Sequence, residues 1–378
     1  MMNVEYKVFF EPVKKFNKRL ESLDDVIHFS EMLRSWKSDS DLVDIINSLN
    51  NNKVCVIKTE DCSGTNSHVL ENFDLLAKIF ELSDVEHVLI LNPPMFFYNK
   101  IQSYPEKISV KKYQYKKITE KKIQTIFENF DESILGQKDA KKSICRKLLA
   151  QLIRPSTKPL VLMFYGNPGI GKTETAKYLS RILYGNDNII REQMTMLGGE
   201  SSVKYYKATA HSEDSFSKKL LNRSSNLILL DEFLLAPSFF HTTFFQMFDE
   251  GKYVDQNFDV DVSNSIIICT SNLLSIDDMD KNIDRALLSR FDGFIKFKDF
   301  TLDEKKDISE KVYSEITASN KMKKEYLDKI DKSAIFDKVN NKLNSLSNMR
   351  TIRKYMEDCI ADSLLLDIIE KKVKFEDI

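Results

Sequence analysis

No apolar run in this chain approaches the roughly 20 residues that a membrane-spanning helix needs. The first 16 residues also lack an apolar stretch of signal-peptide length. Cysteine is sparse: Cys55, Cys62, Cys145, Cys269 and Cys359 are scattered, odd in number and outside any metal-ligand spacing. That pattern argues against a disulfide framework and suits a reducing compartment. The five histidines are equally dispersed, which argues against a zinc site. Charge of one sign is missing too, since 56 basic residues nearly cancel 57 acidic ones. No global field therefore favours nucleic acid or a membrane surface. These absences point to a soluble, cytoplasmic, globular protein, and 378 residues are enough for two to three domains.

The most informative segment present is Gly166-Asn167-Pro168-Gly169-Ile170-Gly171-Lys172-Thr173. It follows Leu160–Tyr165, a continuous apolar run expected of a strand buried on both faces of a parallel sheet. It precedes a helical pattern opened by Glu174, with Ala176, Leu179 and Leu183 on one face. Glycines in such a loop let consecutive backbone N–H groups turn inward around phosphate oxygens. Lys172 can reach the outer phosphates, and the Thr173 hydroxyl can ligate Mg²⁺. The N-terminus of the next helix adds to the anion site. Residues Gly166 through Glu174 are thus candidates for binding a nucleoside triphosphate.

The chain divides by pattern into four stretches. Residues 1–99 read as a small α/β recognition or assembly domain, with helical stretches at Leu23–Leu33 and Leu42–Leu49. Strands are expected at Lys53–Lys58 and His87–Leu91, with the amphipathic segment Val69–Leu82 between them. Residues 100–122 are rich in lysine, interleaved with Tyr104, Tyr113 and Tyr115. A nucleic-acid contact is one reading of that segment. The preferred reading is a solvated linker whose Val110, Tyr113 and Tyr115 pair as an edge strand, because Glu106 and Glu120 interrupt the lysines. Residues 123–298 alternate helix and strand as a doubly wound parallel α/β sheet does. Residues 299–378 are wholly helical and strongly charged, with helices expected over Asp303–Thr317, Lys321–Ile330 and Met349–Glu370.

Further candidate groups stand at strand ends. The apolar run Asn226–Leu230 leads straight into Asp231 and Glu232. Carboxylates at the carboxyl end of a buried parallel strand lie where ligands bind in open α/β sheets. Asp231 is suited to the Mg²⁺ shell, and Glu232 to polarising an attacking water. The run Ser265–Thr270 ends in Ser271 and Asn272, whose carboxamide could hold that water. Arg290, in Asp284-Arg-Ala-Leu-Leu-Ser-Arg290, reads as an arginine finger supplied to a neighbouring subunit. The plainer alternative is a surface ion pair with Asp292.

Taken in order, these residues resemble an AAA+ ATPase, and more finely the second ring of Clp-type unfoldases, over about residues 130–370. Ile134-Leu135-Gly-Gln resembles the family segment that packs over adenine. Leu229–Phe233, Phe245–Asp255 and Ile267–Asn272 follow the Clp order and spacing. Ser347-Asn-Met-Arg350 resembles the lid segment whose arginine senses nucleotide, which implies that role for Arg350. The resemblance implies ATP and Mg²⁺ as cofactors, a homo-oligomeric ring (a hexamer), a protein substrate and no membrane partner. One departure concerns the substrate-gripping pore loop. The corresponding stretch, Leu197–Lys207, lacks the gripping glycine and offers Val203, Tyr205 and Tyr206 instead. No peptidase-docking hook is present. The expected function is a ring-forming ATPase that remodels or unfolds a protein partner. The alternatives are a nucleic-acid-linked motor or loader and an ATP-regulated scaffold.

Overall fold

The computed structural model describes residues 4–35, 42–103, 108–153, 157–196, 199–208, 210–318, 322 and 324–376. Tyr104, Glu106, Leu197, Gly198 and Lys321, which enter the expectations above, lie outside them. Two five-stranded parallel sheets dominate. The first is formed by β1 (Glu5–Phe10), β2 (Val26–His28), β3 (Val54–Ile57), β4 (His87–Leu91) and β5 (Ile108–Lys112), in the spatial order β5-β1-β4-β3-β2. The second holds β6 (Leu160–Tyr165), β7 (Ile190–Gln193), β8 (Leu227–Asp231), β11 (Ile266–Ser271) and β12 (Gly293–Lys296), in the order β12-β6-β11-β8-β7. Between β8 and β11 in sequence, β9 (Lys252–Val254) and β10 (Asp259–Asp261) make a small antiparallel hairpin.

The second sheet behaves as its continuous apolar strands require. Every residue of β6, β8 and β11 is buried. Leu162, Phe164, Leu229 and Ile268 enter one core cluster, while Val161, Met163, Leu230 and Ile267 enter the cluster on the opposite face. With both faces packed, a one-residue register slip would move every one of these side chains into the wrong layer. The observed pairing, Cys269 with Met163 and with Leu230, aligns the carboxyl ends of the three central strands. That alignment is what brings loop, carboxylates and carboxamide to one edge.

The helical region after residue 300 joins the first of those clusters through Ile308, Val312, Ile352 and Met356. Its opening helix, Leu302–Ile316, begins at a capping box: the Thr301 hydroxyl accepts from the Glu304 N–H, and the Glu304 carboxylate accepts from the Thr301 N–H at 2.8 Å. The final helix runs Met349–Glu376. The helix expected over Lys321–Ile330 is represented by Lys324–Leu327. All five cysteines are buried free thiols. Among the described residues no helix is long and apolar enough to cross a membrane.

The N-terminal region departs from expectation in two places and agrees with it in a third. The stretch Leu23–Leu33 is not one helix, because Val26–His28 pairs with β3 and the helix Phe29–Ser35 starts only afterwards. The strand β1, not among those expected, lies inside its sheet between β4 and the edge strand β5. Residues 108–112, within the expected linker, are the edge strand of that sheet, and the Tyr113 N–H extends the pairing to the Phe10 carbonyl. This is the edge-strand reading of the lysine-rich segment, with Val110 exposed on it.

Candidate nucleotide site

A cavity of about 780 Å³ opens at the carboxyl ends of β6, β8 and β11, between the second sheet and the C-terminal helices. Its floor is the loop after β6. Gly166, Gly169 and Gly171 all adopt positive φ (130°, 74° and 104°). At Gly166 a side chain would also collide with the Phe297 carbonyl, and at Gly169 a Cβ would lie 2.9 Å from Asn348. Both positions therefore require glycine on steric and conformational grounds. Gly171 is the N-cap of the helix Lys172–Tyr184, so free backbone donors of the first turn face the cavity.

Lys172 is only 6% exposed. Its ammonium donates to the carbonyls of Gly166 and Asn167, the latter at 2.8 Å, and to Asn272 Oδ1 at 3.0 Å. Burial pushes its pKa down to about 8, against the opposing pull of Asp231 and Glu232. Such an ammonium gains from an incoming phosphate, which supplies stronger acceptors than carbonyls.

At the end of β8, the Asp231 carboxylate accepts from the Thr270 hydroxyl at 2.5 Å and from Arg191 Nε at 3.0 Å. Glu232 takes the left-handed conformation, φ 55°, and its N–H donates to the Thr270 hydroxyl at 2.8 Å. Its carboxylate accepts from Gln193 Nε2 at 2.9 Å and from Asn272 Nδ2 at 3.4 Å. A non-glycine residue held there costs about 1–3 kcal/mol, which marks a position over-determined by its surroundings. Thr173 and Asp231 line the same cavity. This hydroxyl and carboxylate suit Mg²⁺, which is held by one or two protein oxygens together with substrate phosphates. Among the described residues no larger cluster of His, Cys, Asp and Glu forms a metal site of its own.

Of the residues expected from sequence, Ile134, Leu135, Pro168, Gly169, Ile170, Gly171, Lys172, Thr173, Glu174, Asp231, Glu232, Asn272 and Arg350 all line this cavity. Ile134 is buried, and its Cγ2 lies 3.6 Å from the Cβ that Gly171 lacks, so it packs down on the loop. Asn167 instead donates to the Asp299 carboxylate at 2.8 Å and helps to fix the loop. The helical region is tied to the loop by the Met349 N–H, which donates to the Gly169 carbonyl at 3.2 Å. Arg290 is not among the lining residues. It pairs with Asp249 at 2.8 Å and stacks 3.9 Å from the centre of the Phe245 ring. The alternative partner Asp292 is taken up elsewhere, accepting from the Val161 N–H at 2.7 Å.

Sequence reasoning missed Arg191 and Gln193, which project into the site from the short strand β7. The tyrosines offered for the pore loop are also placed differently. Tyr206 is 2% exposed, and both Tyr205 and Tyr206 donate to the Glu192 carboxylate, at 3.3 and 3.1 Å. Tyr206 is a core residue rather than a surface grip.

Comparison with known proteins agrees with this geometry. Residues 158–333 match the family model of the AAA domain (Cdc48 subfamily). The Clp protease ATP-binding subunit ClpE of Streptococcus pneumoniae is 27% identical over 282 residues, covering 65% of this chain and 37% of that protein. The chaperone ClpB of Mycoplasmoides gallisepticum is 25% identical, covering 68% of this chain and 38% of that protein. The chain thus spans just over a third of the length of these relatives. Among solved structures, the Saccharomyces cerevisiae Hsp104–ADP complex superposes with a TM-score of 0.63 at 14% identity, covering 98% of this chain and 89% of that one. An Hsp104 reconstruction with ATPγS and FITC casein gives 0.55 at 15% identity, covering 97% and 89%. Residues 158–333 are an AAA domain, similar in sequence to Clp ATPases and set in a parallel-sheet α/β core.

Proposed function

We propose that the chain works as a subunit of a ring that hydrolyses ATP and uses the energy to remodel a protein partner. The observation that carries this reading is the convergence of Lys172, Asp231, Glu232, Asn272 and Arg350 on one cavity, with Arg290 directed away from it. An arginine absent from its own site is available to a neighbour's, which is the arrangement a ring requires.

In this reading the loop Gly166–Gly171 and Lys172 bind and orient the phosphates, and Ile134 and Leu135 flank the base. Mg²⁺ held by Thr173 and Asp231 would neutralise charge developing on the transferred phosphoryl group. Glu232 accepts the proton of the attacking water, and the Asn272 carboxamide orients it. Gln193 and Asn272 each donate to one oxygen of the Glu232 carboxylate and orient it, leaving lone pairs to accept from a water. Arg350 contributes positive charge from the helical side, which acts as a lid. Arg290 of the next subunit completes the site, so turnover and subunit movement are linked.

The relatives named as chaperones, and the Hsp104 structure with casein, support a protein as the partner. The internal bonding of Tyr205 and Tyr206 favours remodelling that does not rely on those rings as a grip. The direct test is Glu232→Gln, which should retain ATP binding and ring assembly while losing turnover by about 100-fold or more. Normal hydrolysis by that variant would refute the assignment.

A further inference from the structure

The two sheets share one design. Ranked by position in the chain, the strands of the N-terminal sheet lie in the order fifth, first, fourth, third, second, and those of the ATPase sheet lie in the same order. All pairings within both sheets are parallel. Five strands can be ordered in about sixty ways, and although connection rules exclude many, coincidence is a poor account. Both sheets are also packed on two faces, the N-terminal one by Tyr6, Val8, Cys55 and Ile90 on one side and Phe9, Val56, Leu89 and Leu91 on the other.

The correspondence extends to the strand tips. Asn272 follows the fourth strand of the ATPase sheet and receives the ammonium of Lys172 from the loop after the first strand. Asn92 follows the fourth strand of the N-terminal sheet and donates at 2.9 Å to the carbonyl of Glu11, just after its first strand. The Asn92 side chain is fully buried, and its Oδ1 has no partner among the described residues.

What differs is the phosphate site. Two residues, Glu11 and Pro12, join β1 to the helix Val13–Leu20, where the ATPase sheet has Gly166–Gly171 before its helix. Glu11 is 5% exposed, and its carboxylate is bridged by Arg19 Nη2 at 3.3 Å. A buried carboxylate thus occupies the connection that corresponds to the phosphate loop, this connection has no glycine, and the lysines of the following first turn, Lys14 and Lys15, are exposed rather than buried as Lys172 is. After β3 come Lys58 and Thr59 rather than two carboxylates, and the Thr59 hydroxyl is spent on the Leu91 carbonyl at 3.1 Å.

From this we infer that residues 4–112 are a second module of the ATPase design whose nucleotide site is filled by its own residues, and that it serves as a fixed clamp on the ATPase. Its surface holds the connection between the helices Glu200–Lys207 and Phe216–Leu221. The Ser63 hydroxyl donates to the His211 carbonyl at 3.0 Å, Lys218 Nζ donates to Ser63 Oγ at 2.8 Å, and the rings of Phe96 and His211 meet edge to face at 5.6 Å. The Met95 N–H also donates to the Asn257 carbonyl at 2.7 Å, beside the β9–β10 hairpin.

The inference uses the proposed ATP site as its point of comparison, and one experiment separates the two. The full chain is photolabelled with azido-ATP and its binding stoichiometry measured by equilibrium dialysis. Hydrogen exchange is followed with and without nucleotide. The expected result is one nucleotide per chain, label confined to peptides lining the ATPase cavity, loss of binding in Lys172→Ala and Lys172→Gln, and exchange at 210–218 that nucleotide leaves unchanged. In Phe96→Ala, exchange at 210–218 should rise several-fold while the single nucleotide is still bound. Two nucleotides per chain, label within 4–35, or residual binding in folded Lys172 variants would overturn the filled-site inference. Nucleotide-dependent exchange at 210–218, or no change in Phe96→Ala, would overturn the clamp. A wild-type chain that binds no nucleotide would instead sink the ATPase reading and leave the N-terminal module nucleotide-free as inferred.

Discussion

The guanidinium of Arg191 lies against the carboxylate of Asp231, Nε 3.0 Å from Oδ2, so the side chain proposed to serve Mg²⁺ is already paired with a protein cation. Asp231 is 6% exposed, whereas the Arg191 side chain is about half exposed (46%). Arg191→Ala should therefore lower the Mg²⁺ concentration needed for half-maximal ATPase several-fold, since the competing cation is gone. It should also reduce thermal stability by about 1 kcal/mol, a modest figure because solvent screens the exposed partner. The conservative variant Arg191→Lys keeps the positive charge and should stay close to the wild type in both respects. A higher Mg²⁺ requirement in Arg191→Ala would mean that the arginine acts on the phosphates instead.

A pH titration should separate stability from binding at Lys172. Its folded pKa, about 8, is below the ordinary lysine value of 10.5, with burial as the largest cause. Between those values the unfolded chain holds a proton that the folded chain has released, so the lysine's contribution to stability rises with pH from about 8 to 10.5. Below pH 8 the burial cost is fully present. Nucleotide affinity should run the opposite way and fall as pH rises through 8, because phosphate binds the ammonium. Melting temperatures and nucleotide titrations across about pH 7–10, compared with Lys172→Met, would check both signs. Affinity that stays flat would remove Lys172 from phosphate binding.

Mixing subunits tests whether Arg290 acts in a neighbour. Arg290→Ala and Lys172→Ala rings should each be inactive, with ATPase reduced by about 1000-fold for the arginine. Mixed rings should recover part of the activity, because some sites then combine an intact loop with an intact arginine. Failure to recover at any ratio, with mixed assembly verified, would place the function of Arg290 in its contacts with Asp249 and Phe245.

Gly169→Ala offers a check on the loop itself. Its φ of 74° and the 2.9 Å approach of Asn348 leave no room for a methyl group. The variant should lose nucleotide affinity by about 10-fold or more, with a destabilisation of about 1 kcal/mol or more. Unchanged affinity would show that the loop tolerates another conformation.

The candidate nucleotide site was legible in sequence wherever its chemistry is local. Gly166–Thr173 sits between an apolar strand and a helix, and Asp231, Glu232 and Asn272 directly follow apolar runs, so each announces itself within a few residues. Arg191 could not be found that way. It lies on a four-residue strand of mixed polarity, and its meaning comes from a carboxylate 40 positions later. The N-terminal sheet was obscured for a related reason. Val26–His28 is too short to show a period of two, and Leu23, Val26 and Ile27 fit a helical face as well as a strand. Tyr206 was offered as a pore-loop aromatic because nothing nearby in sequence reveals the ring cluster it joins with Phe216, Phe240 and Phe244.

The hydrogen bond from the Met349 N–H to the Gly169 carbonyl sets the origin of a long lever. The helix that starts there spans 28 residues, or about 42 Å at 1.5 Å per residue. A tilt of about 10° at the phosphate loop would sweep its far end through about 7 Å, by the same geometry. A sub-ångström adjustment around a γ-phosphate can thus become a displacement comparable to the width of a neighbouring side-chain layer. In the ring proposed above, the reach of such a movement would be set by the length of one helix rather than by the size of the chemical change.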